Sequence, residues 1–239
     1  MDFSKLTACG GDCSDCLHYQ NKDCCGCRQN GGTYVKMWQN GCEICKCCQK
    51  HDVQFCGLCS AFPCEWLRNT LTWDKNGIER MGRLAEEYHR RREVFLSVLS
   101  LLWNKIGTHG VMTLSTSLEN RVTSRAMSIV VINGIFYCQT DETSLKCQQI
   151  QKNSNVALCH QNFSIEGTCR MVGKPYENPV FIQLMREHFP NAVERWSTLP
   201  TECLLAIIPL RMAAWSYEDD KPYMEYWDFQ NLSYSKEGK

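Results

Sequence analysis

The spacing of apolar residues changes twice along the chain. Up to about residue 70 aliphatic side chains are sparse and follow no period. In residues 76–105, "NGIERMGRLAEEYHRRREVFLSVLSLLWNK", Ile78, Met81, Leu84, Ala85 and Tyr88 recur at helical spacing, and Val94, Phe95, Val98, Leu99 and Leu102 do so again. This predicts a connecting helix and then a second helix that opens the next domain. The triple arginine at 90–92 reads as a solvated face.

From residue 110 the period shortens to that of strands. "GVMTLST" and "RVTSRAMSIVVI" flank "SLEN", a turn signal, and Asn133-Gly134 joins the second of them to "IFYCQT" as a hairpin. "TSLKCQQIQKN" predicts a short helix with Thr143 or Ser144 as N-cap. "VALCHQ", "SIEGTCRMVGKPY" and "CLLAIIPLRMAAWSYE" predict further strands. "NPVFIQLMREHFP" predicts a helix, with Pro179 near its start and Pro190 just beyond its end. The sum is about six antiparallel strands with three helices, an arrangement that hides its edges by closing into a barrel.

Cysteine usage divides the chain in the same place. Thirteen of the eighteen cysteines lie between Cys9 and Cys64, seven of them within residues 40–67. So few aliphatic residues accompany them that a cross-link or bound metal must help this region fold. The fold class read from the chain is therefore α+β. A metal-stabilised cysteine-rich module spans 1–70, a helical connector with the first barrel helix spans 71–105, an antiparallel six-stranded split barrel spans 106–230, and a tail spans 231–239.

Charge narrows the function classes. The net charge is zero, and the first 68 residues carry seven basic and seven acidic side chains. No basic field is available to neutralise phosphates, so nucleic acid is not an expected partner. The start, "MDFSKLTACGGDC", has no charged segment followed by an apolar one, and "VFLSVLSLLW" and "CLLAIIPL" are too short to span a bilayer. A cytoplasmic protein with no membrane partner is expected. Thiols there stay reduced, so dense cysteines read as metal ligands or redox groups rather than disulfides.

The segment "RVTSRAMSIVVINGIFYCQTDETSLKCQQIQKNSNVAL" resembles the FMN-binding core of the pyridoxamine 5'-phosphate oxidase-like split barrels. That pattern has an Arg-bearing strand, a hairpin, a strand ending in Thr, a Ser-x-Lys helix start and an Asn-x-x-Val-x-Leu strand. Here these are Arg121 and Arg125, Asn133-Gly134, Thr140, Ser144 with Lys146, and Asn155-Val156-Ala157-Leu158, where Val156 follows Asn155 directly. The match covers roughly residues 92–228. The resemblance implies a homodimer with FMN at its interface. The flavin phosphate would meet Arg121, Arg125, Thr140, Ser144 and Lys146, and backbone groups of Thr123 and Ser124 would meet the isoalloxazine rim. Trp215 falls near where some relatives place an aromatic from the partner subunit. Cationic and hydroxyl donors around a helix start suit a phosphate. Taken singly, an Arg on a strand is an edge charge and Ser144 a helix cap, but their joint spacing points to the flavin; Trp215 reads as a core residue rather than a cofactor contact. The arginine- and histidine-bearing C-terminal substrate motif of pyridoxamine phosphate oxidase is missing, so vitamin B6 oxidation is not expected.

The first region resembles a family of small cysteine-rich bacterial and archaeal domains of uncharacterised function. The matching residues are Cys9-Gly10, Cys13 and Cys16; Cys24 or Cys25 with Gly26-Cys27; Cys42 and Cys47; Cys56 and Cys59; and Phe62-Pro63-Cys64. Cys45 and Cys48 are additional, and Cys42, Cys45 and Cys48 repeat the C-x2-C-x2-C run of ferredoxin clusters without its closing Cys-Pro. All thirteen thiols are candidate ligands, for iron–sulfur clusters or for zinc. His18 and His51 read as ordinary polar residues beside them, and Cys138, Cys147, Cys159 and Cys169 as small core residues.

The function expected first is an FMN-dependent oxidoreductase. Its iron–sulfur module would relay electrons to a small-molecule acceptor such as a nitro compound, a quinone or another flavin, from a donor that the sequence does not name. The alternative is a flavin- or haem-binding sensor whose zinc knot binds a partner. No isolated His/Asp or Cys/His constellation marks a catalytic acid or base.

Overall fold

A computed structural model of the chain describes residues 1–27 and 40–238. Two compact units divide it, Met1–Val94 and Phe95–Lys239.

The first unit is helical. It has helices α1 (Leu17–Gln20), α2 (Glu43–Lys50) and α3 (Glu65–Thr70), with two short 3-10 turns before α1 and one between α2 and α3. Asp2 and Asp12 cap two of those turns by accepting from Ser4 N and Ser14 N. Helix α4 (Gly77–Ile106) begins in this unit. Phe3, Leu6, Ile44, Phe55, Leu67, Met81 and Leu84 form the unit's core. Phe55 stacks on Phe3 at 6.5 Å, and Tyr88 meets both rings edge-on, at 5.3 Å from Phe3 and 6.3 Å from Phe55. A small apolar core therefore exists where sparse aliphatics predicted none. Aromatics and the first half of α4 supply it.

The two helices expected over 76–105 are one. The change of apolar face at Arg90–Arg92 does not break it, because Glu87 accepts from Arg90 one turn on and from Arg91 four residues on.

The second unit is built on strands β1 (His109–Leu118), β2 (Arg121–Ile132) and β3 (Ile135–Asp141), helix α5 (Leu145–Lys152), and strands β4 (Asn155–His160) and β5 (Phe163–Met171). Helices α6 (Pro179–His188) and α7 (Pro190–Trp196) and strands β6 (Glu202–Glu218), β7 (Lys221–Asp228) and β8 (Ser233–Gly238) follow. All pairings are antiparallel, in the order β3-β2-β1-β4-β5-β6-β7-β8, and a further β3–β6 pairing closes a ring through six strands. Six strands were expected and eight form among the described residues. The long β6 explains the difference. Its first half, Glu202–Ile207, pairs with β3 to close the ring, and its second half, Arg211–Glu218, pairs with β7. Pro190 does not merely follow α6: it starts α7, where its missing N–H costs nothing.

Alternation sets the faces. Met112, Leu114, Ile129, Phe136, Leu158, Ile165, Leu205 and Ile207 point into the ring and pack with Phe95, Leu102 and Ile106 of α4. On the other face Val130 and Leu204 pack with Phe181, Ile182 and Met185 of α6 and Val193 of α7. Both tight turns are built as read. Asn133 and Gly134 have φ of 50° and 77°, and Glu119 and Asn120 have 50° and 63°. Among the described residues no helix is long and apolar enough to cross a membrane.

Candidate functional site

The inward face of β1 and β2 carries polar residues at one end. Thr116 pairs with Thr123 and Leu114 with Arg125 across the two strands. Arg125 donates to the Leu114 carbonyl (3.2 Å), to Thr116 Oγ1 (2.7 Å) and to Thr123 Oγ1. Both threonine hydroxyls donate to Gln149 Oε1 of α5, at 2.6 and 2.9 Å. Gln149 is buried, and so is Thr116. Burial lowers the Arg125 pKa, because desolvation opposes its charge. Among the described residues every acceptor of this guanidinium is neutral.

Thr116 and Gln149 were not singled out from the sequence. Thr116 was legible in principle: Met112, Leu114 and Thr116 share one face of β1, so a polar residue falls at an inward position. Gln149 had no such signal, since a glutamine on a short helix normally faces water.

The other predicted residues are distributed as follows. Arg121 is exposed at the β1–β2 turn, opposite Leu118. Ser124 lies on the outer face and shares a 2.8 Å hydrogen bond with Ser115. Strand β3 pairs with β2 only from Val130 to Ile132, so among the described residues the earlier part of β2 has one edge without a strand partner. Backbone groups of Thr123 and Ser124 lie on that stretch. Thr140 is buried, opposite Cys203. Ser144 is the N-cap of α5, but its side chain makes no capping bond. Its hydroxyl is buried without a hydrogen bond of ordinary geometry, although it lies near enough to the Cys147 sulfur to favour the thiolate. Lys146 is half-buried one turn before Gln149. Trp215 is 53% exposed on the outer face of β6, edge-on to Tyr217, so it is not a core residue. The structure thus joins Thr123 and Arg125 to α5, and leaves Arg121 and Trp215 apart from them.

Acidic groups flank the start of α5. Asp141 accepts from Thr143 and Thr201, which holds its carboxyl below the usual range. Glu202, opposite Asp141 and 4% exposed, is pushed up to about 7 by burial and then by the Asp141 charge. A carboxyl whose folded pKa exceeds its unfolded one contributes stability at low pH and loses it as pH rises. Between about pH 4.5 and 7 the folded chain should therefore become less stable with rising pH. Glu202→Gln is expected to flatten this dependence and to raise the Tm at pH 8. Thermal melts across pH 4–8 check it; an unchanged slope would show that Glu202 is ionised at little cost.

Twelve of the thirteen thiols of the first unit fall into two neighbourhoods. Cys27 is pushed up to about 12 by burial and by Cys13, Cys9, Cys45 and Cys42 around it. Cys16 and Cys24 act on Cys13. Cys47 is raised by burial and by Cys56, Cys59 and Cys64. A hydrogen bond between Cys48 and Cys56 raises the first and lowers the second. Cys25 is exposed. Yet no three His, Cys, Asp or Glu side chains among the described residues lie close enough to hold a metal ion. Cys42 caps α2, while Cys45 and Cys48 lie on it. Cys45 falls among the first group, and Cys48 lies beside Cys56 of the second and near Cys45. In the second unit Cys138, Cys147 and Cys169 are buried as expected, and Cys159 is exposed.

No protein-family model matches the chain, and no curated protein does. Among solved structures, one that it is similar to is a pyridoxamine 5'-phosphate oxidase-related, FMN-binding protein from Nostoc punctiforme. That comparison gives 19% identity over 66% of this chain and 95% of that one, with a TM-score of 0.40. General Stress Protein 26 from Bacillus anthracis is 22% identical over 48% of this chain and 92% of that one, with a TM-score of 0.38. PhzG from Burkholderia lata, in complex with tetrahydrophenazine-1-carboxylic acid, is 12% identical over 61% of this chain and 90% of that one, with a TM-score of 0.41.

Proposed function

We propose that the second unit binds FMN and that the protein is an FMN-dependent oxidoreductase acting on a small-molecule acceptor. One observation carries the reading. Arg125 is a half-buried cation whose partners among the described residues are all neutral. A desolvated charge without a counter-charge is costly, and an anion completes it. The Ser144 hydroxyl, at the start of the helix that carries Lys146, fits the same group. Arg125, Lys146 and Ser144 would hold the phosphate, and the unpaired stretch of β2 would present backbone donors and acceptors to the ring edge. Thr116, Thr123 and Gln149 fix the guanidinium, so little entropy is lost on binding. The bound flavin supplies the hydride or single-electron chemistry, and the chain supplies position and electrostatics. A homodimer that shares the flavin follows from the sequence resemblance and is part of the proposal.

The cysteine-rich unit is assigned the role of electron relay. The crowding of its thiols supports this. Anaerobic purification with an absorption spectrum and metal analysis tests both assignments. Flavin bands bleached by dithionite, with iron and acid-labile sulfide, are expected. Stoichiometric zinc without iron would replace the relay by a partner-binding knot. A colourless protein that takes up no added FMN would overturn the flavin reading itself.

A further inference from the structure

Two cysteines of the second unit meet at the start of α5. Cys147 Sγ lies 3.9 Å from Cys203 Sγ, although 56 residues separate them in the chain. Both are buried, at 0% and 3% exposure, one on the first turn of α5 and one on β6. Core packing accounts for burial, but it does not account for the charges around this pair. Lys146 precedes Cys147, and the Cys147 backbone lies in the first turn of a helix whose cap residue makes no side-chain bond. Unpaired N–H groups and a cation favour a thiolate there. When both thiols hold their protons, Cys147 donates to the Asp141 carbonyl at 3.4 Å. When one proton leaves, Cys203 donates to Cys147. The hydrogen bond from Cys203, then Ser144 and Lys146, lower the Cys147 pKa against its burial and the Asp141 charge, while the same bond, burial and the charges of Cys147, Glu142 and Glu202 raise that of Cys203. A thiolate touching a thiol has the two parts a disulfide needs, a nucleophile and a resolving group.

We propose that Cys147 and Cys203 form a reversible redox pair that a small hydroperoxide closes to a disulfide. The Cys147 thiolate attacks one peroxide oxygen, the O–O bond breaks, and hydroxide leaves with a pair of electrons. Cys147 is then a sulfenic acid. The Cys203 sulfur attacks the Cys147 sulfur, the S–OH bond breaks, and the Cys203 proton leaves with the hydroxide as water. Two thiols and one hydrogen peroxide give one disulfide and two waters. The sulfurs must close from 3.9 Å to about 2 Å. Burial selects the oxidant: hydrogen peroxide is small enough to enter, and a glutathione disulfide is not. A dithiol reductant reverses the bond. The cross-link ties the first turn of α5 to β6.

Trypsin makes the pair readable. Cleavage after Lys146 and Lys152 releases a peptide whose one cysteine is Cys147, and cleavage after Arg195 and Arg211 releases one whose one cysteine is Cys203. The reduced full chain is treated with hydrogen peroxide or with oxidised glutathione, alkylated, digested and read by mass spectrometry. The linked peptide pair 147–152 with 196–211 is expected after peroxide, absent after glutathione disulfide, and lost on reduction. With Cys203→Ser, a dimedone adduct at Cys147 is expected in place of the link. Exposed Cys159 reports that peroxide reached the chain. Oxidised Cys159 with both peptides alkylated and unlinked would overturn the proposal, as would a Cys147 sulfenic acid that persists in the wild-type chain.

Discussion

Arg125→Ala with Lys146→Ala should weaken FMN binding by two to four orders of magnitude while the second unit stays folded. Each charge-assisted bond to a phosphate is worth about 1.5–3 kcal/mol, and about 1.4 kcal/mol is a tenfold change in affinity. The sheet tolerates the change because Gln149 keeps both threonine donors when the guanidinium is gone. Arg125 also makes no ion pair among the described residues, so its removal strands no carboxylate there. Burial makes the loss of Arg125 the larger of the two, since a desolvated charge is screened least. Equilibrium titration with FMN, beside a melt of the apo protein, separates binding from folding. Unchanged affinity in a folded double variant would remove the phosphate from this place.

The elements nearest this site were legible because two local signals agree there. Strict alternation fixes the faces of β1 and β2, and residues tolerant of positive φ fix both turns. Other features depend on distance in space. Strand β8 is exposed along its length and carries no apolar face to announce it. It is held to β7 by backbone pairing, by Tyr234 donating to Glu225 and by Lys236 reaching Glu218 of β6. The grouping of thiols was hidden for a similar reason. Cys42, Cys45 and Cys48 look like one motif, but three-residue steps along α2 lead from one thiol group to the other. Arg125 was visible as a candidate, whereas its support was not: Gln149 becomes a partner only once α5 lies over the inward threonines.

Phe55→Ala should unfold the metal-free first unit and leave the second intact. Phe55 is fully buried and packs against both Phe3 and Tyr88 of α4 in the unit's aromatic cluster. Truncating a buried phenylalanine costs about 3–5 kcal/mol. Small domains are stable by only about 5–15 kcal/mol, and a core of this size sits at the lower end. The second unit has its own core, around Leu114, Phe136 and Leu205, which the substitution does not touch. Bound metal changes the balance. A structural zinc site can contribute roughly 10 kcal/mol or more, enough to hold a truncated core together. The same variant therefore separates the two sources of stability. After chelation, limited proteolysis should cut within Met1–Val94 and spare Phe95–Lys239. Protection should return when zinc, or iron with sulfide, is restored. A chelated variant that stays protected would show that the aromatic cluster is not the unit's main support. A variant that metal fails to rescue would show that the crowded thiols bring no binding energy to the fold, and the relay would lose its physical basis.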